Sequence, residues 1–347
     1  MQETAVDTVV VTEPEYKKAE ETFAAETRFR VVAAADDESS MTEAVRKHGA
    51  RAVIVGVVPY GPPLLDALAS NTAESRQAGQ ESAALIARFG VGYDSVDLTG
   101  AAERGIVVTN TPGVLDQSVA EHTVWLLGAL ARTIPAADAR VRQGEFFNPG
   151  GVELSGKTLG LIGLGRIGRR VAQAACFGLG MRVIAGDCLP VEELTQREGR
   201  PLEQMLEEFG LDDYTTDVDR VFAESDAVSL HLPAIPATHH FVDARRLALM
   251  QPHALLVNTA RGMVLDESAL FDALQSGRPA AAALDVFEQE PYVPVDPVKD
   301  LRTLPNVVLT PHTGSNTRES NRRMAATTLD DAAAFFGGEL QRLNRVG

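Results

Sequence analysis

Residues 160–187 read GLIGLGRIGRRVAQAACFGLGMRVIAGD, and this stretch decides the fold. The apolar run 158–162 is short enough for one buried strand. Gly163, Gly165 and Gly168 follow in G-x-G-x-x-G spacing. Residues 169–179 continue as a helix, and Gly180 stops it. A second strand, 181–186, ends at Asp187. Each glycine has a physical reason. Gly163 permits a tight turn out of the strand. Gly165 lets a pyrophosphate approach the backbone, and Gly168 lets helix and strand pack closely. The helix N-terminus then offers unpaired N–H groups and partial positive charge to phosphate.

An acidic residue about 20 positions beyond such a turn accepts hydrogen bonds from an adenosine ribose. Asp187 stands there, and its charge repels a 2′-phosphate, so the expected cofactor is NAD rather than NADP. The unit therefore reads as strand, glycine turn, helix and strand of a dinucleotide-binding domain.

Outward from this unit, the 347 residues suffice for two domains with full cores. With 45% apolar and 23% charged residues, the composition is that of an ordinary globular chain. A formal net charge of −16 argues against a nucleic-acid surface and for small ligands. The N-terminal residues lack a basic segment followed by a long apolar core, and no run approaches a membrane span, so a cytoplasmic protein is expected. Cys176 and Cys188 suit a reducing compartment. Cys176 reads as a small core residue, and neither cysteine has a base partner in the pattern. No metal is expected, because the adjacent His239 and His240 are poorly spaced for ligation on a regular element.

Residues 1–113 alternate strands (8–12, 29–34, 52–58, 84–89, 106–109) with helical patterns (14–26, 40–48, 63–69, 98–104). This is βαβ order and predicts a parallel sheet. No glycine fingerprint lies here. Gly56–Gly61 and Phe89–Asp94 each follow a strand, and their glycine-flanked amides suit a carboxylate. Thr111-Pro112-Gly113 marks a domain crossing. Residues 116–132 form a helical pattern carrying Trp125, read as a core or subunit contact. Residues 133–156, with Pro135, Pro149, Gly150 and Gly151, read as an irregular arm. Beyond Asp187, residues 191–214 read as a solvated acidic helical face. Alternation resumes with strands 227–232, 254–258, 281–286 and 307–310, and a long helix, 319–336, ends the pattern.

In an open α/β sheet, ligands lie beyond the carboxyl ends of the strands. Just past three successive strands stand Arg261, Glu290 and His312. An Arg fork pairs with a carboxylate and polarises the adjacent carbonyl. A His exchanges a proton with the forming alcohol near neutral pH. A Glu orients the imidazole and favours its charged form. The set suits hydride transfer to a 2-oxo acid.

At residues 90–98 (GVGYDSVDL), 110–123 (NTPGVLDQSVAEHT), 154–168 (LSGKTLGLIGLGRIG), 229–240 (SLHLPAIPATHH), 256–270 (LVNTARGMVLDESAL), 282–291 (AALDVFEQEP) and 306–315 (NVVLTPHTGS), the chain resembles the NAD-dependent D-isomer-specific 2-hydroxyacid dehydrogenases. That family includes D-3-phosphoglycerate, D-lactate and glyoxylate/hydroxypyruvate enzymes. The resemblance implies an α/β oxidoreductase of two doubly wound parallel-sheet domains. A flavodoxin-like substrate domain would span 1–113, completed by 319–347, and a Rossmann NAD-binding domain 114–318.

It implies Arg261, Glu290 and His312 as the catalytic three. Gly163, Gly165, Arg166, Ile167 and Gly168 would line the pyrophosphate, and Asp187 would hold the ribose. Thr259 and Asp285 would flank the nicotinamide, with Leu232, Pro233, Thr238 and Gly314 nearby. Backbone at Val91 and Gly92, together with Arg261, would meet the substrate, and the arm at 133–156 would serve a homodimer.

Two departures bear on substrate. Phosphoglycerate enzymes tend to carry a basic residue near Gly56 and a small polar one near Val91, which argues here for an unphosphorylated 2-oxo acid. Because the sequence ends soon after its last helix, no C-terminal regulatory domain is expected. The expected activity is thus interconversion of a small D-2-hydroxy acid and its 2-oxo acid, favouring reduction. The alternatives are D-3-phosphoglycerate dehydrogenase or, in another class, a non-catalytic NAD-sensing corepressor-like scaffold.

Overall fold

The computed structural model describes residues 7–71, 84–146 and 150–346. Pro149 of the arm and the first six residues lie outside the described residues. The chain divides into two compact units, Met1–Leu115 with Ser315–Gly347, and Asp116–Gly314.

In the first unit the strands are β1 (Thr8–Thr12), β2 (Arg30–Ala34), β3 (Ala52–Val55), β4 (Ala84–Arg88) and β5 (Ile106–Thr109). Their order is β2-β1-β3-β4-β5, and every pairing is parallel. β1, β3 and β4 are buried along their whole length, as strands covered on both faces must be. Apolar, β-branched runs such as Val9-Val10-Val11 and Val53-Ile54-Val55 follow from that constraint. Asp37 caps the helix Glu38–His48 by accepting from the Ser40 amide at 2.9 Å. The C-terminal helix Arg318–Phe336 belongs to this unit and buries Met324, Leu329 and Phe335.

The second unit contains β6 (Thr158–Ile162), β7 (Arg182–Gly186), β8 (Asp213–Thr215), β9 (Ala227–Leu230), β10 (Leu255–Asn258), β11 (Ala281–Leu284) and β12 (Val307–Leu309). The order β12-β11-β10-β9-β6-β7-β8 is again wholly parallel. Strand order reverses at β6, so the doubly wound switch point lies at the glycine turn. Two apolar layers cover the sheet. One includes Leu159, Leu161, Val171, Val183 and Phe209, and the other Ile162, Phe222, Val228, Leu256 and Leu284.

Four expectations need correcting. The arm is not wholly irregular, because Ile134–Arg142 is a helix entered through Pro135 in its first turn. Residues 191–214 are not a simple solvated face. They fold as helices Val191–Glu198 and Leu202–Phe209 followed by β8, with Leu194, Met205, Phe209 and Tyr214 buried. Their charges outnumber the few apolar anchors, which hid the amphipathic pattern. The helix after the glycine turn runs Arg166–Gln173 and then widens into a π turn, Ala174–Gly178. Of the two roles expected for Trp125, the core one fails, because the side chain is 73% exposed, and the subunit contact stays open. Among the described residues, no helix is long and apolar enough to cross a membrane.

One buried acid makes the first unit's stability depend on pH. Asp331, on the C-terminal helix, is 7% exposed, and its Oδ2 has no hydrogen-bond partner among the described residues. Burial pushes its pKa from 3.8 up to about 6. A raised carboxyl favours the fold while protonated, an advantage complete below 3.8 and lost as pH climbs through about 6. At about 1.4 kcal/mol per pH unit, the loss reaches at most about 3 kcal/mol. Asp331→Asn keeps the shape without the titration. Urea unfolding from pH 4 to 8 should show the variant gaining on the native chain as pH rises, then levelling off. A difference that stays constant across this range refutes the assignment.

Candidate active site

The glycine turn leaves β6 at the switch point. Gly163 has φ of +100°, and a Cβ there would lie 2.6 Å from the His231 carbonyl oxygen. Only glycine satisfies both conditions. A Cβ on Gly168 would overlap the Gly163 carbonyl, so this position is fixed by helix–strand packing. Gly165 differs, because a Cβ there would meet nothing within 4 Å. The protein's own packing does not demand that glycine, whereas a phosphate against the backbone does. Gly165 is also the N-cap of the helix Arg166–Gln173, and no side chain caps that end. The first-turn amides of Arg166 and Ile167 are left for an anion. Asp187 follows β7, its Oδ2 accepting from the Leu164 amide at 2.8 Å. These residues fit a dinucleotide.

Behind the turn, Arg169 donates to the Leu164 carbonyl at 3.1 Å and grips Glu198 with two hydrogen bonds, at 3.0 and 2.8 Å. The acidic segment thereby buttresses the turn, and Arg169 holds the Glu198 carboxyl below its ordinary range. His231 lies against the same turn, and burial drops its pKa to about 4. It is a neutral packing group. Burial and the neighbouring Asp187 carboxylate raise the Cys188 thiol and keep it protonated.

The second cluster stands over β10, β11 and β12, which are neighbours in register: Asn258 pairs with Leu284, and Leu284 with Leu309. Arg261 lies three residues past β10, Glu290 six past β11, and His312 three past β12. Parallel pairing at matched height brings all three loops to one rim. The His312 Nδ1 lies 2.7 Å from Glu290 Oε2, while Glu290 Oε1 accepts from the Phe287 amide at 3.0 Å. His312 adopts φ of +52°, a conformation that ordinary residues avoid.

Asp285 holds that turn. It is 1% exposed. Its oxygens accept from Thr310 Oγ1 at 2.6 Å and from the Thr313 and Gly314 amides at 2.8 Å each. His122 Nε2 lies 3.3 Å away, and the Asp285 carbonyl accepts from the His312 amide at 2.7 Å. Burial alone would raise the Asp285 carboxyl, but these hydrogen bonds outweigh it and hold the group below its usual range.

The Arg261 loop is fixed from two sides. Asn258, fully buried, accepts from the Ala260 amide and donates to the Arg261 carbonyl, both at 3.0 Å. A Cβ on Gly262 would overlap the backbone at Phe287 and Glu288, so the β10 and β11 loops touch there. Arg261 Nη1 donates to the Ala260 carbonyl at 2.6 Å.

The remaining expected residues of the second unit lie on the neighbouring loops. Thr259 is buried, its hydroxyl 2.7 Å from that of Thr123. Thr238 staples the loop after β9 by donating to the Pro233 carbonyl at 2.6 Å, which presents Leu232 and Pro233 beyond the strand. Val91 and Gly92 lie past β4 in the first unit, where Asn110 Nδ2 donates to the Val91 carbonyl at 2.7 Å.

Sequence reasoning missed the supporting groups: Thr123, Asn258 and His122, and the carboxylates Glu267 and Glu288. Glu267 Oε1 accepts from the Glu288 amide at 2.7 Å and Glu288 Oε1 from the Glu267 amide at 3.1 Å. Their position one to three residues from an expected site residue, or on an adjoining helix, is the only signal the sequence offered. His239, His240 and Glu288 also meet, although adjacent histidines argued against ligation.

Residues 124–314 match the model for the D-isomer specific 2-hydroxyacid dehydrogenase NAD binding domain. A glyoxylate reductase of Korarchaeum cryptofilum is 42% identical over 265 residues, covering 74% of each chain. A D-3-phosphoglycerate dehydrogenase of Methanocaldococcus jannaschii is 40% identical over 262 residues, 75% of this chain and 47% of the relative. The crystal structure of D-lactate dehydrogenase from Aquifex aeolicus, complexed with NAD and lactic acid, superposes with a TM-score of 0.74 at 29% identity over 96% of each chain.

The glycine assignment separates two variants. Gly165→Ala should keep the native melting temperature within a few degrees and weaken NAD binding by roughly tenfold or more, whereas Gly168→Ala should lower the melting temperature outright. Calorimetric titration with NAD and thermal unfolding read the two effects. Native NAD affinity in Gly165→Ala would move the pyrophosphate elsewhere.

Proposed function

This chain belongs to the D-isomer specific 2-hydroxyacid dehydrogenases, NAD-dependent oxidoreductases, and from that premise we propose that it reduces a small unphosphorylated 2-oxo acid to the D-2-hydroxy acid with NADH. The observation that carries the reading is the His312–Glu290 pair at 2.7 Å. Glu290 occupies Nδ1, which leaves Nε2 as the nitrogen that exchanges a proton with substrate. The Glu290 carboxylate stabilises the imidazolium that reduction consumes and oxidation restores. Arg261 pairs with the substrate carboxylate and polarises the carbonyl.

NAD supplies the hydride acceptor or donor when bound. The Gly163–Gly168 turn would hold its pyrophosphate and Asp187 its ribose. Leu232, Pro233, Thr238 and Thr259 would border the nicotinamide. Asp285 and Gly314 act from inside the protein, fixing the turn that carries His312.

An unphosphorylated substrate is favoured at Gly56. A Cβ there would overlap the carboxylate of Glu15, which is 5% exposed and accepts from Lys18 Nζ at 3.1 Å. A dianionic phosphate next to a buried carboxylate is repelled. The likeness to phosphoglycerate enzymes keeps that substrate as the second reading.

A panel of glyoxylate, hydroxypyruvate, pyruvate and 3-phosphoglycerate, with NADH and NADPH, separates these readings. Reduction of the unphosphorylated acids with NADH should dominate, and His312→Ala should cut kcat by about 10²–10⁴ with NADH affinity unchanged. Native turnover in that variant would remove His312 from the mechanism, and preference for 3-phosphoglycerate would select the second reading.

We also assign a cytoplasmic homodimer. The helices Asp116–Ala131 and Ile134–Arg142 expose Trp125, Ile134 and Val141, and Phe146 follows fully exposed. Such apolar surface marks an interaction face. Sedimentation velocity should give twice the chain mass, and Trp125→Glu should shift it toward the monomer. A native monomer at micromolar concentration would reject the assignment.

A further inference from the structure

Besides the acid–base pair, the rim of the second unit gathers two imidazoles and a carboxylate that the reaction does not use. His239 follows the short helix Pro236–Thr238 in extended conformation, and His240 turns left-handed with φ of +48°. Neighbouring side chains on a strand point apart. This turn instead stacks the two rings, with centroids 4.0 Å apart and planes 28° from parallel. One potential donor atom from each of His239, His240 and Glu288 lies within 4.8 Å of the other two.

The backbone around them is anchored. The His240 amide donates to the Met263 carbonyl at 2.8 Å, and Val242 bridges Leu265 just beyond. Glu288 is pinned by its reciprocal hydrogen bonds with Glu267, which occupy Oε1 and leave Oε2. That oxygen lies 2.8 Å from His240 Nε2. On the opposite edge of the ring, Nδ1 is 4.0 Å from Asp266 Oδ2. At that distance Asp266 makes no hydrogen bond to the ring, but it places a carboxylate on the side away from Glu288, where a ligating imidazole would carry its proton.

We propose that His239, His240 and Glu288 form a binding site for a divalent transition-metal cation of the zinc class. Two imidazoles and one carboxylate suit Zn²⁺ and disfavour Mg²⁺ or Ca²⁺, which take all-oxygen shells. With bonds of about 2.0–2.2 Å, tetrahedral ligands lie roughly 3.4 Å apart. The His240–Glu288 pair opens by about half an ångström to admit the ion, and His239, which is exposed, closes on it by rotation. The fourth position is left for water. A proton shared by His240 Nε2 and Glu288 is displaced, and the ring takes its proton at Nδ1, facing Asp266. The ion joins the loop after β9 to the loop after β11, so its binding raises thermal stability in proportion to occupancy.

Calorimetric titration of tag-free protein with ZnCl₂ tests this directly. One ion should bind per chain, and Co²⁺ should give the intense visible d–d bands of tetrahedral coordination. His239→Ala, which removes an exposed side chain and leaves the metal-free melting temperature unchanged, should weaken binding by at least ~10-fold, as should Glu288→Gln. Cys188→Ser should bind as the native chain does. Absence of an equimolar site, retention of binding in His239→Ala and Glu288→Gln, or its loss in Cys188→Ser would each overturn the proposal. None of these readouts depends on turnover, so they stand apart from the dehydrogenase reading.

Discussion

The geometry of the site rests on one buried carboxylate. Asp285 sits at the end of β11, almost without solvent, and must be satisfied by the protein around it. Its partners come from the β12 turn and from His122 on the helix Asp116–Ala131. Meeting that demand fixes Thr310, Thr313 and Gly314, and therefore the strained His312 between them. The strain is offset by the hydrogen bonds that the turn makes to Asp285. Removing the carboxylate would release the imidazole as well as a core contact.

Parallel pairing does the rest of the positioning. β10, β11 and β12 are in register, so their carboxyl ends, and the loops that follow them, emerge at one edge of the sheet. The loops carrying residues 261, 290 and 312 leave the sheet at that edge, and His312 meets Glu290 there. The contact of Gly262 with Phe287 and Glu288, and the Asn258 clasp on the Arg261 loop, then remove the freedom that loops normally keep. Rigid neighbours are what a site needs if orientation is to lower a barrier.

The glycine turn shows the same division between packing and ligand demand. Gly163 and Gly168 are required by the fold itself, and Gly165 is not. The acidic segment after Asp187, which had no evident purpose in the sequence, supplies Glu198 to hold Arg169 across the turn, and Phe209 stacks beneath that guanidinium at 4.9 Å. A charge-rich surface thus carries a specific support for the cofactor end of the sheet.

The sequence by itself determined the parallel α/β class, the glycine turn with Asp187 at the following strand end, and the positions of Arg261, Glu290 and His312 just past strands. These are local properties. Apolar runs, glycine spacing and strand ends are written in consecutive residues. It did not reveal β8, whose three residues are too short for a pattern, or the helix in the arm, or the exposure of Trp125. Nor did it reveal the groups that hold the site. Asp285 with His122, Asn258 with Arg261, and Glu288 with His240 and Glu267 are pairings set by which strands lie side by side and which backbone turns left-handed. Such contacts join residues up to 163 positions apart, and only the packed chain decides them.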